Sequence, residues 1–361
     1  MAAARALARR GLGWVWPNPA VGCVILDAEG RVAGRGWTRP GGRPHAETEA
    51  LRAAGPKSRG GTAYVTLEPC SHHGETPPCA DALVKAGIKR VVASMMDPDP
   101  RVQGAGFRRL REAGIEVIED FGRKEAEVIN EGFFLRVREK RPLIVLKTAT
   151  TLDGRIATGT GESQWITGEA ARKRGHLLRA QFDAIMVGIG TATADNPMLT
   201  CRLPGLENRS PVRIVVDGRR RLPLTAKLVT TANRHPTWMV TLPGIHDARF
   251  EAFRSAGVEM VEAPADQSGQ PDLMIVMTRL AERGLTRVLV EGGSHLSAAL
   301  LRDDLVDGIY WFRAAGIIGG DGLPVAAPFG VGNLDDMVRF TSAEVMALGP
   351  DQLEIYSRRV G

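Results

Sequence analysis

Short apolar runs, separated by turns rich in glycine and proline, recur along the chain from position 21 onward. Positions 21–26 and 31–37 are two such runs joined by Asp27-Ala28-Glu29-Gly30, and they predict a β-hairpin. Positions 45–54 predict a helix, with Glu47, Thr48 and Glu49 early in it and Gly55-Pro56 as its stop. A strand at 63–67, a helix at 79–86 ended by Gly87, a strand at 90–94, a helix at 107–113 and a strand at 115–118 follow. Strands alternating with helices predict an α/β sheet covered on both faces. The opening stretch, 1–16, is rich in Ala and Arg and has no acidic residue. It predicts an amphipathic helix with Leu7 and Leu12 inward, in preference to a targeting segment.

A polar run at 136–142, ending in Pro142, predicts a domain boundary at about 140, after which the alternation restarts. Positions 142–147, 184–187, 212–216, 237–240 and 287–290 read as buried strands, and 296–301 as a helix. The 361 residues accommodate two domains, 1–140 and 141–361, at roughly 100–200 residues each.

Composition narrows the function class. An apolar share of 43% and a charged share of 24% suit a soluble globular chain. No apolar stretch approaches the ~18 residues of a membrane helix. Four cysteines in a chain of this length, without an export signal, predict a reducing, cytoplasmic setting with buried thiols or metal ligands rather than disulfides. Cys23 and Cys201 read as structural. A net charge of +6 with 5% aromatics favours a small anionic molecule over nucleic acid.

The strongest chemical signal is His45-Ala46-Glu47, followed by Glu68-Pro69-Cys70 and Cys79. One imidazole and two thiolates are zinc ligands, and three protein ligands leave the fourth tetrahedral position for water, as in catalytic sites. Zinc lowers the pKa of that water from about 15.7 to about 7. Glu47, on the first turn of the His45 helix, can stay outside the coordination sphere and carry a proton from the water to departing ammonia. Both cysteines are expected near helix starts, where the dipole favours thiolate. His-x-Glu followed by Pro-Cys and a second Cys is the signature of zinc nucleobase deaminases, although eight residues separate Cys70 from Cys79 where two are usual. The alternative is a closed structural site, with His72 or His73 as fourth ligand.

The run 66–79, Thr-Leu-Glu-Pro-Cys-Ser-His-His-Gly-Glu-Thr-Pro-Pro-Cys, with Pro17-Asn18-Pro19 and Pro44-His45-Ala46-Glu47, closely resembles the bifunctional diaminohydroxyphosphoribosylaminopyrimidine deaminase / aminophosphoribosylaminouracil reductase family. The extended cysteine spacing belongs to that family. The resemblance continues through 93–98, 147–155, 161–167, 193–200 and 290–293. It implies a cytidine-deaminase-like three-layer αβα domain followed by a dihydrofolate-reductase-like α/β domain. It also implies zinc, NADPH and a phosphorylated pyrimidine substrate, 2,5-diamino-6-ribosylamino-4(3H)-pyrimidinone 5′-phosphate, whose ribosyl group is reduced to ribityl after deamination.

The second domain has no Gly-x-Gly-x-x-Gly after its first strand, so it does not read as an ordinary Rossmann nucleotide binder. Val187-Gly-Ile-Gly-Thr191 and Glu291-Gly-Gly-Ser-His295 each follow a strand and fit phosphate binding, though each also reads as a plain turn. The resemblance implies NADP contacts at Ala149, Trp165, Thr191, Asp195, Gly218, Gly293, Ser294, His295, Leu296, Ser297, Ala298 and Ala299. It implies substrate contacts at Ser163, Arg179, Leu199, Arg202 and Glu291. Planar, permanently charged arginines suit a ribose phosphate. Asp195 is the candidate general acid, with capping of the next turn as its alternative role.

Two segments depart from the family pattern. The family begins with a few more residues before the helix at Ala4-Arg5-Ala6-Leu7, and Trp311–Gly316 stands where an Ala-Pro-Lys stretch is common. The expected partners are the small-molecule substrate and further copies of the chain (a dimer through the reductase domain, or larger), with the last strands pairing across the boundary, and neither nucleic acid nor membrane. Two other functions compete: a nucleic-acid deaminase with a binding domain, which would have no NADPH affinity, and a zinc-stabilised scaffold with decayed sites.

Overall fold

The computed structural model describes residues 1–72, 77–100, 102–244 and 247–358. These divide into two compact units, Met1–Arg141 and Pro142–Gly361. No helix among them is long and apolar enough to cross a membrane.

The first unit runs α1 (Ala2–Ala8), β1 (Gly22–Leu26), β2 (Val32–Trp37), α2 (Ala46–Ala54), β3 (Thr62–Val65), α3 (Cys79–Lys85), β4 (Arg90–Ala93), α4 (Ala105–Glu112), β5 (Glu116–Ile118) and α5 (Arg123–Glu139). The sheet order is β2-β1-β3-β4-β5. The hairpin β1–β2 is antiparallel and β3, β4 and β5 are parallel. Successive residues of a strand face opposite sides, and glycines show what lies on each side. A methyl on Gly22 would overlap the Ala4 carbonyl of α1, whereas methyls on Gly34 and Gly36 would overlap the Ala50 and Ala46 carbonyls of α2. Gly22 pairs with Trp37, the neighbour of Gly36. The two helices therefore lie on opposite faces, which makes three layers. Cys23, Ile25, Val65, Leu67, Phe107 and Leu110 fill the core on the α2 side.

The opening helix is shorter than the pattern predicts and turns a different face inward. Its buried residues are Ala4 and Ala8, while Leu7 and Leu12 are half-buried. Only small side chains fit where the helix backbone meets Gly22 so closely. Most of the polar run at 136–142 is the last turn of α5, with Arg136 and Arg138 near the helix C-terminus and Lys140 as a left-handed cap at φ 59°. Basic residues there complement the helix dipole, so a helix end imitates a linker in sequence.

Substitution of Gly36 by Ala is expected to push α2 off the sheet and cost about 1–3 kcal/mol, as overpacking does. Thermal unfolding and zinc stoichiometry would measure it; an unchanged Tm with full zinc would show that α2 can yield.

The second unit begins with β6 (Leu143–Thr150), β7 (Arg155–Ala157), α6 (Glu169–Arg179), β8 (Ala184–Gly188), α7 (Ile189–Asp195), β9 (Val212–Val216), α8 (Lys227–Thr230) and β10 (Thr237–Thr241). It continues with α9 (Ala248–Ser255), β11 (Val258–Glu262), α10 (Leu273–Glu282), β12 (Arg287–Val290), α11 (Ser294–Arg302), β13 (Gly308–Arg313), β14 (Leu323–Pro324), β15 (Thr341–Leu348) and β16 (Asp351–Ser357). Its main sheet has the order β11-β10-β9-β8-β12-β6-β13-β16-β15. Pairing is parallel from β11 to β13 and antiparallel through β16 and β15. The five strands predicted from apolar runs form its contiguous centre, β10-β9-β8-β12-β6. Because these strands are parallel, their C-terminal ends share one edge, where ligands of open α/β sheets bind.

Candidate active sites

In the first unit, α2 and α3 bring three ligand atoms together. His45 is the N-cap of α2 and Cys79 is the first residue of α3. Cys70 lies in the coil beyond β3, not at a helix start, but its sulfur accepts the Cys79 amide at 3.3 Å and so occupies the N-terminus of α3. His45 Nδ1 stands 3.3 Å from Cys79 Sγ and 3.6 Å from Cys70 Sγ. Tetrahedral zinc, about 2.3 Å from sulfur and 2.0–2.1 Å from nitrogen, would hold such S···N pairs roughly 3.5 Å apart. The donor set and its spacing therefore fit zinc. Among the described residues the cluster consists of His45, Cys70 and Cys79; His72 is not in it, and His73 lies outside the described residues.

The protons in this cluster are unevenly held. A hydrogen bond from the Cys79 thiol, with His45 and the Cys79 amide adding, brings Cys70 down to about 4 against the effect of burial. That same bond, with burial, raises Cys79 well above the ordinary thiol range. The bond to Cys70 raises His45. Glu47 is buried on the first turn of α2, and its carboxyl is hydrogen-bonded to the Cys79 thiol, so it reaches the ligand cluster. Burial pushes it up to about 7, and the charge of Cys70 adds to this.

In the second unit, Glu291 follows β12 and Arg179 ends α6. Arg179 grips both oxygens of Glu291, Nε to Oε1 at 2.8 Å and Nη2 to Oε2 at 2.9 Å, and donates through Nη1 to the Thr200 carbonyl at 3.1 Å. Lys147 Nζ of β6 lies 3.7 Å from Glu291 Oε2. Burial alone would raise the Glu291 carboxyl, but Arg179 and Lys147 outweigh it and hold the group at about 2. The Arg202 amide donates to His176 Nδ1 at 3.3 Å. Burial, with Arg179 and Arg202, lowers that imidazole to about 4. Leu199 is buried with φ 53° in the same stretch. Two cations, Lys147 and Arg179, thus flank one carboxylate, and Arg202 is exposed beyond His176.

The two glycine segments stand side by side, because β8 and β12 are neighbours; the first is not a loop after a strand but a direct junction, with Gly188 ending β8 and capping α7. A methyl on Gly293 would come within 3.0 Å of Thr191 Oγ1, and one on Gly188 within 3.7 Å of Leu296 Cβ. Gly293 is the N-cap of α11, whose first amides have no intrahelical acceptor. Within that helix Leu296, Ser297 and Ala298 are buried, Ala299 is half-buried and His295 is exposed. The Ser294 hydroxyl is enclosed without a protein partner. Ala149 is on β6, two residues from Lys147 and on the same side.

Other sequence-predicted positions are more separate. Gly218 packs against Pro271, which a methyl would approach to 2.9 Å. Trp165 is 65% exposed with the Arg172 guanidinium 4.8 Å from its ring centre. No hydrogen bond or ion pair among the described residues joins Ser163 or Trp165 to the Arg179–Glu291 pair. Asp195 is exposed at the end of α7; its neighbour Asn196 reaches another element, its Oδ1 accepting the amide of Lys227, the first residue of α8, at 2.8 Å. Trp311 lies inside β13, where Nε1 donates to Thr150 Oγ1 at 2.8 Å. Sequence reasoning passed over Lys147 and His176. Period-two alternation from Ala149 would have pointed to Lys147.

An α/β unit with a His/Cys/Cys cluster and a buried glutamate, joined to one with adjacent glycine segments at a parallel-sheet edge, defines a zinc-dependent deaminase combined with an NADPH-using reductase. The comparisons agree. Residues 1–95 match the cytidine and deoxycytidylate deaminase zinc-binding region, and residues 142–353 match the RibD C-terminal domain. The riboflavin biosynthesis protein RibD of Actinobacillus pleuropneumoniae is 41% identical over 358 residues, covering 99% of this chain and 94% of its own. That of Escherichia coli is 41% identical over 362 residues, covering 97% and 96%. Acinetobacter baumannii RibD superposes with a TM-score of 0.87 at 36% identity, covering 99% and 97%. A Thermotoga maritima diaminohydroxyphosphoribosylaminopyrimidine deaminase / 5-amino-6-(5-phosphoribosylamino)uracil reductase gives 0.85 at 36%, with the same coverage. The chain belongs to the RibD family of bifunctional deaminase/reductases of riboflavin biosynthesis.

Proposed function

We propose that residues 1–140 deaminate 2,5-diamino-6-ribosylamino-4(3H)-pyrimidinone 5′-phosphate and that residues 141–361 reduce the ribosyl group of the product to ribityl, in the cytoplasm. The observation that carries this reading is the three-ligand cluster with the Glu47 carboxyl beside it. His45, Cys70 and Cys79 hold zinc. Bound there, zinc supplies the Lewis acidity that makes a hydroxide nucleophile available at neutral pH. Glu47 accepts the proton of the attacking water and delivers it to the departing amino group, which leaves as ammonia. Its buried place beside the ligand cluster suits a group that must both take and give a proton.

In the reductase half, NADPH supplies the hydride. Ala149, Thr191, Asp195 and Gly293–Ala299 line its site, with Trp165 and Gly218 at its margins. The amides at the start of α11 and the enclosed Ser294 hydroxyl suit an anionic phosphate. Lys147, Arg179 and Arg202 draw in the substrate phosphate, while Ser163, Leu199 and Glu291 orient the sugar. Glu291 does this as an acceptor fixed by Arg179. The nine-stranded sheet ends in the exposed strand β15, a surface that suits pairing of two copies.

Chelation tests the reading. Stripping zinc is expected to abolish ammonia release and to spare NADPH oxidation when the deaminated compound is supplied, with zinc restoring the first. Ammonia release that survives in demonstrably zinc-free protein would refute it.

A further inference from the structure

Glu68 is 3% exposed and immediately precedes Pro69-Cys70. Its carboxyl oxygens accept four backbone amides, all from one later segment. Oε2 takes those of Asp97 at 3.2 Å and Gly104 at 2.9 Å, and Oε1 takes those of Gly106 at 2.8 Å and Phe107 at 3.3 Å. Four donors converging on one group require a partner with acceptors alone, which a carboxylate is and an amide is not. The fit is close: a methyl on Gly106 would overlap the Pro69 carbonyl and come within 3.1 Å of Glu68 Oε1.

What this segment stands beside follows from strand register. Parallel β3 and β4 pair Val65 with Ala93, and the Glu68 amide continues the ladder to the Met95 carbonyl at 2.9 Å. The same offset puts Asp97 alongside Pro69-Cys70. Asp97 is buried and Gly106 packs on the Pro69 carbonyl, so Asp97 and the start of α4 lie against the turn that supplies a sulfur to the cluster. His45, Glu47 and Cys79, by contrast, are held by α2 and α3. Among the described residues no hydrogen bond or ion pair joins Glu68 to the ligand atoms or to Glu47; its four bonds go to the segment beside them.

We propose that Glu68 is a positioning residue of the deaminase half: through the hydrogen bonds it accepts from four backbone amides it holds Asp97 and the stretch Gly104–Phe107 as a wall of the pyrimidine site beside Cys70. The inference rests on the deaminase reading of the His45/Cys70/Cys79 cluster. It separates binding from chemistry. The ligands and the proton carrier keep their places without Glu68, whereas the wall does not.

The test is Glu68→Gln in the full chain, with Gly106→Ala as a second variant that displaces the segment from the other side. Hydrogen exchange in the metal-free protein is expected to quicken at least tenfold in peptides covering 97–107 and to stay unchanged in those covering α2. In the zinc-loaded protein KM for the pyrimidine should rise about tenfold with kcat changed less than threefold. Zinc stoichiometry, the visible spectrum of the cobalt-substituted protein and the reductase rate should match the parent. Unchanged exchange or unchanged KM in a folded variant overturns the proposal, as does loss of zinc in step with activity. If Glu68→Gln fails to fold, Gly106→Ala decides by the same readings. A parent protein without zinc-dependent ammonia release would instead defeat the underlying reading.

Discussion

Glu47→Gln is expected to lower the rate of ammonia release by about 10²–10⁴-fold, the usual share of a positioned general acid–base. Zinc content and NADPH oxidation of the deaminated compound should not change. The size of the effect follows from what the amide cannot do. It preserves the shape of a buried side chain on the first turn of α2 and can still hydrogen-bond near Cys79, but it cannot accept a proton from water and return it to nitrogen. A steady-state ammonia assay and zinc analysis on one preparation measure both halves of the claim. Near-parental turnover would remove Glu47 from the proton path.

Removing one member of the Arg179–Glu291 pair is expected to cost the second unit about 3–5 kcal/mol, because the survivor is a buried charge without its partner. The side chains are 15% and 11% exposed, so solvent screens them little. Glu291→Ala should be the more damaging change, since it strips two cations of their shared acceptor, Lys147 at 3.7 Å and Arg179 at 2.8 Å from the carboxylate. Thermal or denaturant unfolding of the reductase transition reads this directly, and a loss below 1 kcal/mol would contradict it. The pH dependence has a definite sign. The Glu291 carboxyl drops from an ordinary 4.5 to about 2 on folding, so its contribution is fully present above pH 4.5. It is lost as pH falls from 4.5 toward 2, and the whole effect is of the order of 3 kcal/mol. In Glu291→Gln the acid limb of the stability curve should flatten over that interval.

The metal cluster was legible in the sequence because ligand chemistry restricts it to few residue types, and the helix after His45 carries its own stop signal at Gly55-Pro56. The central strands of the second sheet were legible because burial on both faces makes them continuous apolar runs. The outer strands were not. Glu259 and Glu262 interrupt β11, and β15 is exposed along most of its length, so neither shows such a run. The α5 helix escaped because its basic last turn and the nearby Pro142 read as a connector. Leu7 and Leu12 misled for a different reason: size suggested they were core, but the helix packs on Gly22, where only alanine fits. The partnership of Arg179 with Glu291 joins positions 112 apart in sequence, and no local pattern announces a contact at that distance.

Main chain meets main chain where α2 rests on Gly34 and Gly36, with no side chain between them as a cushion. The positions of His45 and Glu47 are consequently inherited from the sheet backbone and not from the identity of the surrounding core residues. Exchanges among valine, isoleucine and leucine in that core are therefore expected to leave the ligand spacing unchanged as long as these two strand positions remain bare.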